Sequence, residues 1–314
     1  MNIFVKQQVV GGHGGNVFHW YGGKNGKFLE KIGVWAGPSS LTAVKIWLTD
    51  LSPQVYGHPN GQYAEFSFQP GERMTELSLW GDGQGTRCGA IHFKTSSGRE
   101  FKNQMTEWGL KQEYPIDVGS GICAGVVGRS GHELDRLGFV FLKPISFTKL
   151  TNMHYPTLKM DAQSIQPETL EAFADSNPAN ADNPTTYSFS GSEKKTLSRT
   201  WTVSVGLELS QDYTVEGKVP EIADAKVKTA WELSISGTFS TTNSEERTLA
   251  WAESGTLQPG DSVSMEALTR KGTLSIPFDG EMFVKLKNGL TFSYPVSGIY
   301  SGVDYTDVEI SHNS

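Results

Sequence analysis

Short apolar runs separated by turn formers fill the first half of the chain. The runs at 31–35, 43–48, 64–68, 75–80, 90–94 and 138–142 each have the length of a strand. Gly37-Pro38, Asn60-Gly61, Pro70-Gly71 and Ser97-Gly98 punctuate them with residues that favour turns. Strands this short and this closely spaced predict a sandwich, barrel or prism rather than alternating strands and helices. Past residue 148 the rhythm changes: a short helical turn is expected at 167–173 and a loop over 177–184.

From Trp201 the alternation becomes strict. Trp201, Val203, Val205, Leu207 and Leu209 occupy odd positions, with Thr, Ser, Gly and Glu between them. Val227, Trp231, Leu233, Ile235 and Phe239 again take odd positions, with Lys228, Glu232, Ser234 and Ser236 on even ones. A period of two gives each strand one apolar and one polar face. Antiparallel pairing with position numbers summing to 440 sets Trp201 against Phe239, Val205 against Ile235, Leu209 against Trp231 and Tyr213 against Val227. The turn then falls near 217–223. That register also opposes Glu208 to Glu232, which is unfavourable, so a slip of two residues stays open. A slip of one would set apolar faces against polar ones and is excluded.

An ordinary hairpin lying on a soluble core would show the same alternation. Two details favour something else. The polar face is mostly Ser, Thr and Gly instead of Lys and Glu, and each strand exceeds the roughly 9–11 residues a tilted β-strand needs to cross a bilayer. One hairpin cannot span lipid alone, because its edges leave backbone groups unpaired. Several copies closed into a barrel can, with odd positions facing lipid, even positions lining water, and Trp201 and Trp231 placed as interfacial residues.

Composition sharpens this picture. The 35 glycines among 314 residues stand well above ordinary usage of roughly 7% and, with 14 prolines, support an all-β chain. No run of about 18 apolar residues is present, so a helical membrane span is not expected. The net charge of −7 argues against a nucleic-acid binder, yet it conceals an asymmetry. Residues 1–150 carry 15 Lys and Arg against 12 Asp and Glu (net +3), whereas 151–314 carry 12 against 22 (net −10). The split fits two units, taken here as 1–149 and 150–314. Cys88 and Cys123 both fall in the first, and one bridge or two free thiols are equally open. The N-terminus lacks the apolar stretch of a signal peptide, and Pro184 blocks the near-sequon at Asn183, so secretion or release by another route is expected. No nucleophile-elbow, zinc-protease or P-loop motif occurs, so an enzyme is not expected, nor a metal or cofactor.

Two glycine clusters carry the candidate chemistry. One is Gly11-Gly12-His13-Gly14-Gly15 and the other runs from Gly128 through Gly131-His132-Glu133-Leu134-Asp135 to Gly138. Consecutive glycines can present backbone N–H groups in a concave nest. Together with the segment 79–93, which contains Asp82 and Gly83, these stretches resemble the jacalin-type lectins over about 4–147. The resemblance implies a β-prism with one sugar site. There the N–H groups of His132 and Glu133 and the carboxylate of Asp135 bind hydroxyls, with the N–H of Gly15 or Gly14 closing the other side. Gly131 and Leu134 complete the G-x-x-x-D loop, and Asp82 and Gly83 belong to the recognition loop. Galactose-preferring members of that family begin at the GG loop; here ten residues precede Gly11, which favours mannose-type glycans. His13 and Glu133 are departures, and a second carboxylate would narrow specificity.

The second half resembles the aerolysin-type pore-forming module, an elongated twisted sheet carrying an amphipathic insertion hairpin, here about 200–240. The resemblance rests on pattern, and a lectin followed by such a module is the architecture of natterin-like and aerolysin-like vertebrate proteins. It implies a cytolytic or defence protein that docks on cell-surface glycans, assembles a homo-oligomeric ring and inserts one β-barrel into membrane lipid. A dimer in solution is left open. The alternative is a non-lytic soluble lectin whose second half mediates oligomerisation.

Overall fold

The computed structural model describes residues 2–69, 71–107, 112–157, 165–205, 213–221, 226–235 and 240–313. The apolar runs of the first half become strands β1 (Val9–Gly11), β2 (Asn16–Tyr21), β3 (Leu29–Ala36), β4 (Leu41–Leu48), β5 (Gln54–Gly57) and β6 (Gln62–Ser67). They continue as β7 (Met74–Gly81), β8 (Cys88–Thr95), β9 (Glu100–Gln104), β10 (Glu113–Pro115), β11 (Cys123–Ser130) and β12 (Leu134–Phe141). Three antiparallel four-stranded sheets result, ordered β1-β12-β11-β2, β10-β7-β8-β9 and β5-β4-β3-β6. Each sheet turns alternate residues inward, and Ile32, Val34, Ile46, Leu79, Ile91, Phe93, Val126, Leu137 and Phe139 meet in one core. Cys88 and Cys123 are buried free thiols, each pushed up to about 12 by burial, which resolves the open choice between a bridge and two thiols.

The second half is built on one very long strand. After β13 (Ile145–His154) come β14 (Ile165–Ser176), β15 (Thr185–Val205), β16 (Tyr213–Glu221), β17 (Lys226–Ile235) and β18 (Ser240–Leu257). They are followed by β19 (Ser262–Leu286), β20 (Thr291–Tyr305) and β21 (Glu309–His312). These form a nine-stranded sheet ordered β17-β16-β13-β19-β20-β15-β18, with β14 and β21 also paired to β19. The 25 residues of β19 reach about 80 Å at about 3.3 Å per residue. In β20 the alternation is regular: Tyr294, Val296, Gly298 and Tyr300 are buried, and Pro295, Ser297 and Ile299 between them are exposed. A core beneath this sheet joins Leu150, Trp201, Val215, Ile276, Phe278 and Tyr300 to Phe4, Phe28, Val140 and Leu142 of the first half.

Two expectations are corrected. The segment 167–173 is part of the edge strand β14, not a helical turn. Between Thr169↔Leu268 and Glu171↔Ala267 the ladder skips Leu170, a bulge that puts one extra residue into the strand. Leu170 and Phe173, three residues apart, therefore both pack on the same small cluster, which imitates helical spacing. Pro167 lacks an N–H, a defect an edge strand tolerates.

The register also differs from a sum of 440. Strands β15 and β18 pair with Thr202↔Ser240 and Trp201↔Thr241, the slip of two residues that alternation leaves open. The inner segment then makes its own hairpin, in which Tyr213 opposes Ile235, Val215 opposes Leu233 and Gly217 opposes Trp231, with an irregularity before Val219↔Lys228. The strand continues to Glu221, past much of the expected turn. Val205 pairs with Ser297 of β20 instead of Ile235. Leu207, Glu208, Leu209 and Phe239 lie outside the described residues. Among the described residues the β16–β17 hairpin joins the sheet through three parallel pairs on β13: Thr148↔Tyr213, Lys149↔Thr214 and Leu150↔Val215.

Trp201 is fully buried, packs against the tilted ring of Tyr300 and donates its Nε1–H to the Tyr155 hydroxyl at 3.1 Å. Tyr155→Phe removes that acceptor and leaves a buried indole N–H without it. We expect a loss of about 1–3 kcal/mol, read as a lower urea midpoint at unchanged slope.

Candidate functional site

Three connections meet at one end of the prism: the GG loop between β1 and β2, the 82–87 loop between β7 and β8, and the tight turn between β11 and β12. Strand pairing fixes the first against the third, through Gly11↔Arg136 and a bond from Gly12 N–H to Asp135 O at 2.8 Å. Gly131 N–H donates to Glu133 O at 3.0 Å and tightens the turn, which places Asp135 at the start of β12. The Asp135 side chain is only 7% exposed.

The glycines are required by close approach. A Cβ on Gly14 would lie 2.5 Å from Asp135 Oδ1. At Gly15, whose φ is +61°, a Cβ would collide with Asp135 Oδ2 and the Ser130 backbone. Among the described residues no acceptor takes the N–H groups of Gly14, Gly15, His132 or Glu133. One sheltered carboxylate and four unbonded N–H groups thus share a small surface. Such a set can accept from and donate to vicinal hydroxyls at once.

The remaining expected residues divide by role. Glu133 is half-exposed and accepts from Arg87 Nε at 2.7 Å. Leu134 is fully buried in the prism core, so its side chain is structural. Asp82 is buried and turned into its own loop, where Gln84 N–H at 3.0 Å, Thr86 N–H at 3.2 Å and the Thr86 hydroxyl at 2.5 Å donate to it. Burial pushes its carboxyl up, but these bonds outweigh burial and hold it below the usual range. Gly83, with φ +83°, forms the exposed tip of that loop. His132 is exposed, its ring 6.5 Å from that of His58, while His13 lies on the other side against Arg136. No cluster of metal-ligating side chains occurs among the described residues.

Three arginines complete the site, and sequence reasoning gave none of them a role. Arg87 bridges two loops, reaching Asp135 Oδ1 at 3.3 Å besides Glu133. Arg129 donates to the carbonyls of Gly14 at 2.8 Å and Gly15 at 2.9 Å, locking the GG loop with its carbonyls occupied. Arg136 bonds His13 at 3.1 Å. The available signal was register: Arg129 and Arg136 are direct cross-strand partners, and like charges so placed need other acceptors.

The jacalin-like lectin domain family matches residues 7–140. Sequence comparison with curated proteins gives no match. Among solved structures, a mannose-binding jacalin-related lectin from Ananas comosus is 21% identical, with a TM-score of 0.37, over 45% of this chain and 99% of that one. A Malaysian banana lectin variant is 25% identical, with a TM-score of 0.37, over 45% of this chain and 98% of that one. The crystal structure of lamprey immune protein is similar along the whole chain: 32% identity, TM-score 0.83, covering 100% of this chain and 99% of that one. The chain carries a jacalin-like lectin domain and belongs to the family of the lamprey immune protein.

Proposed function

We propose that this protein binds mannose-type glycans at the Asp135 site and, once docked on a cell surface, assembles a ring whose subunits insert a β-barrel. In this reading Asp135 accepts from two sugar hydroxyls, the N–H groups of His132, Glu133, Gly14 and Gly15 donate to sugar oxygens, and Arg87 holds Asp135 and Glu133 in place. The single observation that carries it is one nearly buried carboxylate enclosed by Gly14 and Gly15, in loops whose N–H groups at Gly14, Gly15, His132 and Glu133 have no acceptor among the described residues. The long sheet acts as an aerolysin-type module with the β16–β17 hairpin as the heart of its inserting segment. Support comes from the alternation of 201–209 and 231–235 and, among the described residues, from attachment of that hairpin to β13 through three pairs. An acidic second half gains nothing from anionic lipid, so sugar binding supplies the attachment. Docking in two dimensions raises local concentration and drives assembly.

A glycan array followed by electron microscopy of protein on mannan-bearing liposomes tests this reading. Mannose-type selectivity and membrane-embedded rings are expected. Binding without rings would favour a non-lytic lectin that oligomerises through its second half. Gly15→Ala supplies a local test, since its Cβ cannot coexist with the Asp135 carboxylate. Strain of about 1–3 kcal/mol is expected at that position, and mannan affinity should fall by about tenfold or more while far-UV circular dichroism is retained.

A further inference from the structure

A second concavity lies at the opposite end of the prism from the GG loop. Strand β2 leaves that loop at Asn16, beside Ser130, and ends at Tyr21, beside Gly125. The separation is about 17 Å for six residues of strand. The concavity has a volume of about 620 Å³ and is lined by Asn2, Phe4, Gln7, Tyr21, Lys24 and Asn25 together with Gly22 and Gly23. That volume is within the usual range of small-molecule sites, roughly 300–1,000 Å³.

Its lining has a definite chemistry. Tyr21 is 43% exposed, and its ring is braced edge-on by the buried Phe4, with centroids 5.5 Å apart at 77°. The side chains of Gln7, Lys24 and Asn25 are exposed and have no hydrogen-bond or ion-pair partner among the described residues. Each amide offers both donors and an acceptor, the combination that vicinal hydroxyls require, and the Lys24 ammonium adds donors. Among the described residues no Asp, Glu, His or Cys lines the concavity, which leaves no charged oxygen or imidazole to hold a cation. A lone exposed ammonium is a poor anion site, and two aromatic rings are too little for a lipid tail.

We propose that this concavity is a second saccharide site, taking one neutral sugar with its apolar face on Tyr21 and its hydroxyls on Gln7, Asn25 and Lys24. It stands apart from the Asp135 site in residues and position, and a chain with both would engage two sugars at once. The 22–26 loop also packs on the second half, where Gly26 lies against the Tyr294 ring of β20, so a ligand here would sit beside the junction of the halves.

The test is ligand-observed NMR with the methyl glycosides of mannose, glucose, galactose and N-acetylglucosamine. It uses four proteins: wild type, Asp135→Ala, Tyr21→Ala and the double variant. Asp135→Ala is expected to keep saturable binding of at least one glycoside, and adding Tyr21→Ala should weaken it by about tenfold or more. If the Tyr21 variants do not fold, Lys24→Ala with Asn25→Ala, both at exposed positions, replaces them in the Asp135→Ala background. Loss of all binding in Asp135→Ala alone would overturn the second site and leave the first intact. Residual binding unaffected by the pocket substitutions would overturn it equally. A wild-type protein that binds none of the four overturns both sites.

Discussion

Asp135→Ala abolishes mannan binding at the GG-loop site and membrane lysis with it; this is the largest effect the account expects. The carboxylate is nearly buried, and Gly14 and Gly15 close around it. Each charge-assisted bond is worth about 1.5–3 kcal/mol, so losing two lowers affinity by roughly two to four powers of ten. Arg87 keeps its bond to Glu133 in the variant, so the loops should stay joined and the fold intact. Binding is read on mannan-coated surfaces and lysis on cells bearing the same glycans. Lysis that survives the loss of binding would sink glycan guidance.

A covalent tether between the hairpin and its neighbour is the second large effect. Lys149 and Thr214 are direct partners on β13 and β16. Paired strands run about 4.8 Å apart, within the span a disulfide bridges. A Lys149→Cys/Thr214→Cys protein should release no dye from glycan-bearing liposomes when oxidised and recover full release on reduction. Tyr213→Cys/Ile235→Cys, partners within the hairpin itself, serves as the control and should remain active when oxidised because both strands move together. Full release from the oxidised Lys149→Cys/Thr214→Cys protein would place the inserting segment elsewhere.

What sequence could and could not reveal follows from the range of each signal. Turn residues act locally, so Asn60-Gly61 and Ser97-Gly98 marked their connections, and the strands between them emerged where apolar runs stood. The glycines at 14 and 15 and the aspartate at 135 were legible because their spacing along the chain is distinctive; the structure brings them into contact. Register is different. Alternation fixes which face is apolar but has a period of two, so sums of 440, 442 and 448 fit it alike, and pairing to β13 and β20 selects among them. The bulge at Leu170 mimicked helical spacing for the same reason, since it depends on a partner strand distant in sequence. Arg87, Arg129 and Arg136 gained roles only when loops from three parts of the chain converged.

The most direct test of the central claim is dye release from two liposome populations of identical lipid composition, one displaying mannose-type glycans and one bare, exposed to the unmodified protein. Release is expected from the glycan-bearing population, rising steeply with protein concentration as a ring assembles, and soluble mannan should suppress it. Equal release from both populations, or binding to the glycan-bearing one without any release, would contradict the account.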